Sequence, residues 1–501
     1  MNAADGGVSL CAGGWDPFAG IGGISAACAD YVSRDANNEQ TVKMTVAEGS
    51  ISGALFDLPA GELKTAFGIF YKKDEYEYKP DAVLQAGCPY ACDIQGFNAN
   101  LGFDGSTDST ELYVEALIPI LKDVTGAQAL DINLGYRWAD YSTAGGTNSY
   151  KAELLWQPVE MARVRGSYQR AVRAPNLSEL YTPQQVNFPS IPSGDPCEGV
   201  AIPSAAADLC VAQGIPLAGL PSYTYPFTQV EGFSSGNTDL DAETADTYSV
   251  GIVLTSPFEN EFASNLQMSI DWYSITVDDA ITAISANTFI QRCFNDRGAN
   301  PTYDPNNFYC GFFDRAESGD IINALEISTN AGQLKVAGID MQLDWRAPIG
   351  PGTLGLNWLA TWTDTYEITQ YAGDGISDDY AGFAVGGVGT SYPEWKSSFN
   401  VGYTWGGLGL NGQWRYVGDM DDWNYPEFKI DAENYFDLNA SYTWDEGLFD
   451  GLTLRGGVEN LGDVQPPFFP SYTQSNTDPS QYDVLGRRYF VGVNYVFGGN
   501  K

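Results

Sequence analysis

About fifteen segments of this chain between residues 41 and 497 read as strands, and several of them set apolar against polar residues at every second position, which is the side-chain period of a strand. They cover 41–56, 62–78, 109–119, 129–141, 149–156, 161–171, 244–255, 266–278, 333–345, 353–363, 395–405, 408–416, 435–444, 452–460 and 487–497. The links between them alternate. After odd segments they are short, as at Leu58-Pro59-Ala60-Gly61 and Gly406-Gly407; the link after the third segment is read as about nine residues. After even segments they are longer: 79–108, 142–148, 172–243, 279–332, 364–394, 417–434 and 461–486, of which only 142–148 is brief. An antiparallel meander puts successive links at opposite ends, so one end is trimmed and the other elaborated. Greek-key sandwiches have no reason to keep that parity, whereas outer-membrane barrels pair short periplasmic turns with long external loops. The predicted fold class is therefore all-β: an antiparallel transmembrane β-barrel portion of about fifteen strands.

The last segment shows the pattern most clearly. One face carries Tyr489, Val491, Val493, Tyr495 and Phe497; the other carries Phe490, Gly492, Asn494 and Val496. A strand that meets lipid needs about 9–11 residues with aromatic residues at both interfaces. Segment 408–416 repeats it, with Leu408, Leu410, Gly412, Trp414 and Tyr416 opposite Asn411, Gln413 and Arg415. No apolar run reaches the roughly 18–20 residues of a membrane helix.

Composition excludes several function classes. The net charge is −39, from 64 acidic and 25 basic residues, which disfavours a nucleic-acid partner. The absence of His removes His-based catalysis and His metal sites. The acidic clusters Asp374/Asp378/Asp379 and Asp419/Asp421/Asp422 offer oxygen ligands of the kind calcium takes, but without the spacing of an EF-hand loop. No metal site, cofactor or enzymatic activity is expected. The start, Met1 to Gly7, lacks the basic and apolar regions of a signal peptide. Eight cysteines fall as close pairs: Cys11 and Cys28, Cys88 and Cys92, Cys197 and Cys210, Cys293 and Cys310. Local disulfides in an oxidising compartment account for that grouping better than zinc.

At Arg165 to Tyr181, which ends Arg173-Ala174-Pro175-Asn176-Leu177-Ser178-Glu179-Leu180-Tyr181, the chain resembles TonB-dependent outer-membrane receptors. The likeness continues at Gly236 to Tyr248, Asn330 to Asp340, Gly457 to Asp463 and Gly486 to Phe490, in family order. The resemblance implies a 22-stranded barrel around an N-terminal plug, in the outer membrane of a Gram-negative bacterium. It implies TonB and an inner-membrane motor as partners through the N-terminal region, and a nutrient ligand at the external loops. Counted back from the end, the first segment would be about the eighth of those 22 strands. The expected organisation is thus an external loop region with a cysteine pair (1–40), a C-terminal portion of the receptor barrel (41–497) and a short tail (498–501), with plug, TonB box and first strands absent.

The function so implied is active uptake of a scarce nutrient: an iron–siderophore, an oligosaccharide or cobalamin. Phe188, Tyr223, Tyr225, Phe227 and Phe233 in link 172–243 are the candidate substrate contacts, because adaptable aromatic loops can stack on rings. Arg170, Arg173, Arg415, Arg455 and Glu459 are candidates for lumen or plug contacts. The rival readings are a plug-less porin, a surface adhesin, and a secreted carbohydrate-binding β-protein. The last requires Trp358 and Trp362 to be buried by a second sheet.

Overall fold

The computed structural model describes residues 16, 18, 22–85, 99–385, 391–468, 470 and 476–497. Fifteen long strands follow one another in chain order through one sheet, each antiparallel to the next. They are β1 (Glu39–Leu58), β2 (Gly61–Lys79), β3 (Phe103–Val124), β4 (Ala127–Tyr141), β5 (Gly145–Val159), β6 (Ala162–Arg173), β7 (Glu243–Thr255) and β8 (Leu266–Ala283). Then come β9 (Ala324–Ile349), β10 (Gly352–Thr369), β11 (Trp395–Trp405), β12 (Leu408–Val417), β13 (Glu433–Thr443), β14 (Leu452–Glu459) and β15 (Arg488–Tyr495). Among the described residues, the long strands β1 and β15 each pair on one side only. No second large sheet covers Trp358 or Trp362, since the two other described sheets have two and four short strands. That removes the secreted two-sheet reading.

The links alternate between short and long as the sequence predicts except after β4, where the link is only residues 142–144, and several strands are longer than expected. Pairing of β3 with β4 continues past Pro119 through a bulge to Val124↔Ala127, so the link shrinks to Thr125-Gly126 rather than nine residues. β9 runs over 26 residues, starting within a stretch that reads as irregular. At about 3.3 Å per residue this greatly exceeds an apolar band of about 25 Å. The hairpins therefore project well beyond such a band at the long-link end. The trimmed end is set by local chemistry. At the β11–β12 turn, Gly406 has φ 52°, and a Cβ on Gly407 would lie 2.0 Å from the Thr443 carbonyl oxygen. The positive φ at Gly406 favours glycine, and the close approach at Gly407 leaves no room for a side chain.

Register divides the sheet into two faces. On β15, Tyr489, Val491 and Val493 are 75%, 81% and 68% exposed, and they share a face with Leu454. The apolar face continues through Leu410, Leu134, Leu154, Val250 and Leu254, all exposed. Water-exposed apolar area on this scale is far more than a soluble monomer shows. The opposite face carries Glu111, Arg137, Lys151, Arg165, Asp271, Asp340, Lys396, Arg415, Asp437 and Arg488.

The packed cores lie mainly in the long links and at the strand ends next to them. The larger one includes Leu209, Leu220, Phe289, Ile290, Tyr309 and Ile321, contributed by the two links 174–242 and 284–323. A smaller core joins Ala384, Val417, Met420, Ile430, Tyr435 and Tyr482.

Candidate functional site

The elaborated end of the sheet is a folded cap. Helices Ala205–Ala212 and Ala286–Cys293 open with Ser204 and Ser285, whose hydroxyls accept from Ala207 N and Thr288 N. Such caps satisfy backbone donors at a helix start. Disulfides Cys197–Cys210 and Cys293–Cys310 hold each link internally, and all four cysteines are buried. Of the other expected pairs, Cys11, Cys88 and Cys92 lie outside the described residues.

A buried ion pair joins the two links. Arg315 Nη1 and Nη2 donate to Asp195 Oδ2 and Oδ1 at 2.7 and 2.8 Å, and both side chains are 0% exposed. Arg315 Nη1 also donates to the Gly319 carbonyl, and its Nε donates to Gln213 Oε1. Asp195 accepts further from Tyr223 OH and Cys197 N. Each charge thus has several hydrogen-bond partners, the condition for burying it at tolerable cost. A second pair, Arg292–Asp374 at 2.6 Å, ties in the link after β10, and Tyr309 hydrogen-bonds both members. The rings of Phe308 and Tyr371 stack across the same junction at 4.1 Å. Burial pushes the Tyr223 and Tyr309 hydroxyls up from the ordinary tyrosine range, and the neighbouring Asp195 and Asp374 push them further.

Of these four charged residues only Asp374 is singled out in the sequence, as a member of an acidic cluster. One signal was present: no Lys or Arg lies between Arg173 and Arg292, so a buried acid in the first link must take its counter-ion from elsewhere.

The five aromatic candidates separate into three groups. Tyr223 is half-buried on Asp195, and Tyr225 is buried with its hydroxyl on the Gln229 carbonyl; both are parts of the cap core. Phe188 and Phe227 are exposed. Phe233 is half-buried in the short strand Gly232–Ser235, which pairs in parallel with the start of β9.

The charged candidates also divide. Arg173 bridges Glu179 and Glu243. Glu179 in turn caps the helix Leu177–Tyr181: Asn176 Oδ1 accepts from Glu179 N, and Glu179 Oε2 accepts from Asn176 N. This reciprocal cap explains the spacing of Arg173, Asn176 and Glu179 as the device that turns β6 into its long link. Arg415, Arg455 and Glu459 share the polar face; Arg415 pairs with Asp437, and Glu459 with Arg488. Arg170 does not join them. It lies an odd three residues from Arg173 on one strand, hence on the opposite, apolar face. There it donates to Asp246 and lies over Tyr150, beside the stacked rings of Tyr168 and Tyr248. The expectation of a lumen contact is corrected by parity alone.

The acidic clusters hold protein groups rather than converging. Asp378 pairs with Arg297, Asp421 with Lys429, and Asp422 Oδ1 accepts from Asn424 N and Tyr425 N. Among the described residues no group of three or more acids or cysteines converges as a metal site would require.

Residues 15–461 match the family described as TonB dependent receptor-like, beta-barrel. A search of curated protein sequences gives no match. Among solved structures, the chain is similar to a mutant ferric enterobactin receptor from Pseudomonas aeruginosa in complex with enterobactin. The identity is 16% and the TM-score 0.57, over 91% of this chain and 54% of that one. The siderophore receptor PirA from Acinetobacter baumannii is similar at 14% identity and TM-score 0.54, over 91% and 55% of the two chains. The FpvAI–pyocin S2 complex is similar at 14% identity and TM-score 0.53, over 92% and 50%. This chain spans about half the length of each.

Proposed function

Because this chain belongs to the TonB-dependent receptor β-barrel family, we propose that it is the strand-and-loop portion of an outer-membrane receptor for active uptake of a scarce nutrient. The observation that carries the reading is the pairing of a largely apolar sheet face, interrupted by the Arg170–Asp246 pair, with a single elaborated end. Lipid of the outer membrane covers the first. The second faces outward and captures ligand. TonB and its inner-membrane motor supply the energy for release inward, in the manner of the family.

The ligand is of the class too large for porins: an iron–siderophore, an oligosaccharide or cobalamin. Relatives of the same fold described as siderophore receptors favour the first. Phe188 and Phe227, the two exposed aromatic candidates of the largest link, are the contacts we assign to it. Tyr223 and Tyr225 set their position from the cap core. Arg173, Arg415, Arg455 and Glu459 belong to the polar inner wall, where they meet the plug or the ligand's path.

Membrane fractionation of the native gene product tests the location: it is found with outer-membrane markers, and recovery from cytosol or culture medium overturns the reading. Uptake tests the activity. A deletion strain loses accumulation of a ferric siderophore, cobalamin or a labelled oligosaccharide and regains it on complementation. Unchanged uptake of all three contradicts it.

A further inference from the structure

We propose that the outward face of a two-stranded ribbon in the cap binds a ligand that carries a cationic group beside an aromatic ring. The inference deepens the uptake reading and rests on it for its biological meaning. Among nutrient ligands it selects those with an ammonium-type cation next to a ring and rejects anionic ones.

The ribbon belongs to link 174–242. Strand Gln185–Asn187 pairs antiparallel with Gly232–Ser235, and Val186 is directly opposite Phe233. The same register continues to the bridge between Ser190 and Gln229, so Phe188 stands opposite Glu231. Val230 N donates to the Pro189 carbonyl at 3.0 Å. The adjacent Phe188–Glu231 pair is therefore of the non-hydrogen-bonded kind, in which Cα atoms stand about 4.5 Å apart and side chains lie close. Alternation puts Val186, Phe188, Glu231 and Phe233 on one face. Leu325, paired in parallel with Phe233 at the start of β9, extends that face by one strand. Val186, Phe188 and Glu231 are exposed; Phe233 and Leu325 are half-buried. A solvent-accessible carboxylate thus has one aromatic residue directly across the ribbon and another two residues along its own strand.

The opposite face fixes the ribbon before any ligand arrives. Ile191 and Val230 are buried in the cap core. Asn187 Nδ2 donates to Glu326 Oε2 at 3.0 Å, and the Glu231 carbonyl accepts from Ala324 N at 3.1 Å. A preformed face leaves little ordering cost for binding to meet.

Charge decides which ligand fits. Link 174–242 contains no Lys or Arg. The cations of link 284–323 are Arg292, Arg297 and Arg315, and they are already held by Asp374, Asp378 and Asp195. Neither link has an unpaired cation to offer an anionic ligand. A cationic ligand gains the Glu231 carboxylate and the attraction of the Phe188 and Phe233 ring quadrupoles. Its own ring packs on the apolar row Val186, Phe233 and Leu325.

Native protein extracted from membranes in detergent is titrated with benzyltrimethylammonium and followed by saturation-transfer NMR. The comparators are tetramethylammonium, which lacks the ring, benzyl alcohol, which lacks the charge, and phenylacetate, which reverses it. Benzyltrimethylammonium is expected to bind at least fivefold more tightly than each comparator. Glu231→Gln and Phe188→Leu should each weaken it at least threefold with far-UV circular dichroism unchanged. Asp239→Asn, at another exposed acid of the same link, should retain wild-type affinity. Phenylacetate binding as tightly as benzyltrimethylammonium, wild-type affinity in Glu231→Gln, or an equal loss in Asp239→Asn overturns the site. None of these results alters the fractionation or deletion-strain outcome, so failure of the site and failure of the uptake reading are told apart.

Discussion

Asp195 and Arg315, 120 residues apart, meet in a two-pronged ion pair from which solvent is excluded, with both side chains 0% exposed. Their two links are otherwise joined mainly by apolar packing. Removing one partner strands the other charge in the core, which costs about 3–5 kcal/mol. Asp195→Ala should therefore destabilise the cap by that amount and expose the 174–242 link to protease. Asp195→Leu with Arg315→Met should recover most of the loss. Limited proteolysis in a urea series checks both.

The cap should be labile in alkali. Burial first, and the neighbouring carboxylates next, raise the Tyr223 and Tyr309 hydroxyls above an ordinary value of 10.0. Burial, then the charge of Asp378, pushes Tyr380 up to about 12. A group raised on folding stabilises fully below its unfolded value, and that contribution is lost as pH climbs through the folded one. Cap stability should be flat up to about pH 9 and fall between about pH 10 and 12. Tyrosinate absorbance at 295 nm should rise together with protease sensitivity; titration of all tyrosines near pH 10 with an intact cap would contradict this.

Peptide mapping without reduction should link Cys197 to Cys210 and Cys293 to Cys310. Replacing either pair with serine should cost about 2–4 kcal/mol of cap stability. The sheet should be unaffected, since all four cysteines lie in the cap. Free thiols at these positions would refute the pairing.

Gly251 is the middle position in a row that runs Arg165, Gly251, Asp271 across β6, β7 and β8. Arg165 reaches over it to Asp271, with Nε to Oδ1 at 2.6 Å, and a Cβ on Gly251 would fall 1.8 Å from that same oxygen. Asp271 also lies opposite Asp340 on β9. Gly251→Ala should push the pair apart, leave two carboxylates facing each other, and cost about 1–3 kcal/mol. The readout is the temperature at which the folded, fast-migrating band is lost on semi-native gels.

Much of the architecture was legible because strand alternation and link parity are local properties. Tyr489, Val491 and Val493 show their exposed face in five residues of sequence. Link parity set the direction of every strand. Strand ends were less legible. Leu121 to Val124 continue β3 past Pro119, and Ala324 to Gly332 continue β9 through a polar stretch, because hydrogen-bonding neighbours outweigh composition there. The cap was the least legible part. Asp195 meets Arg315 only after two links fold together, and no local pattern encodes a contact at that separation. Arg170 was a different kind of miss: its odd spacing from Arg173 already placed the two on opposite faces.

The central claim is that the long-link end of the sheet faces the outside of the cell and the short-turn end faces the periplasm. An epitope inserted at exposed Leu217, in the cap, and another at exposed Leu448, in the link between β13 and β14, test it in the native protein. Antibody should stain intact cells carrying the Leu217 insertion, and should stain those carrying the Leu448 insertion only after the outer membrane is permeabilised. Staining of intact cells at Leu448 with none at Leu217, or no staining at either site before lysis, would contradict the account.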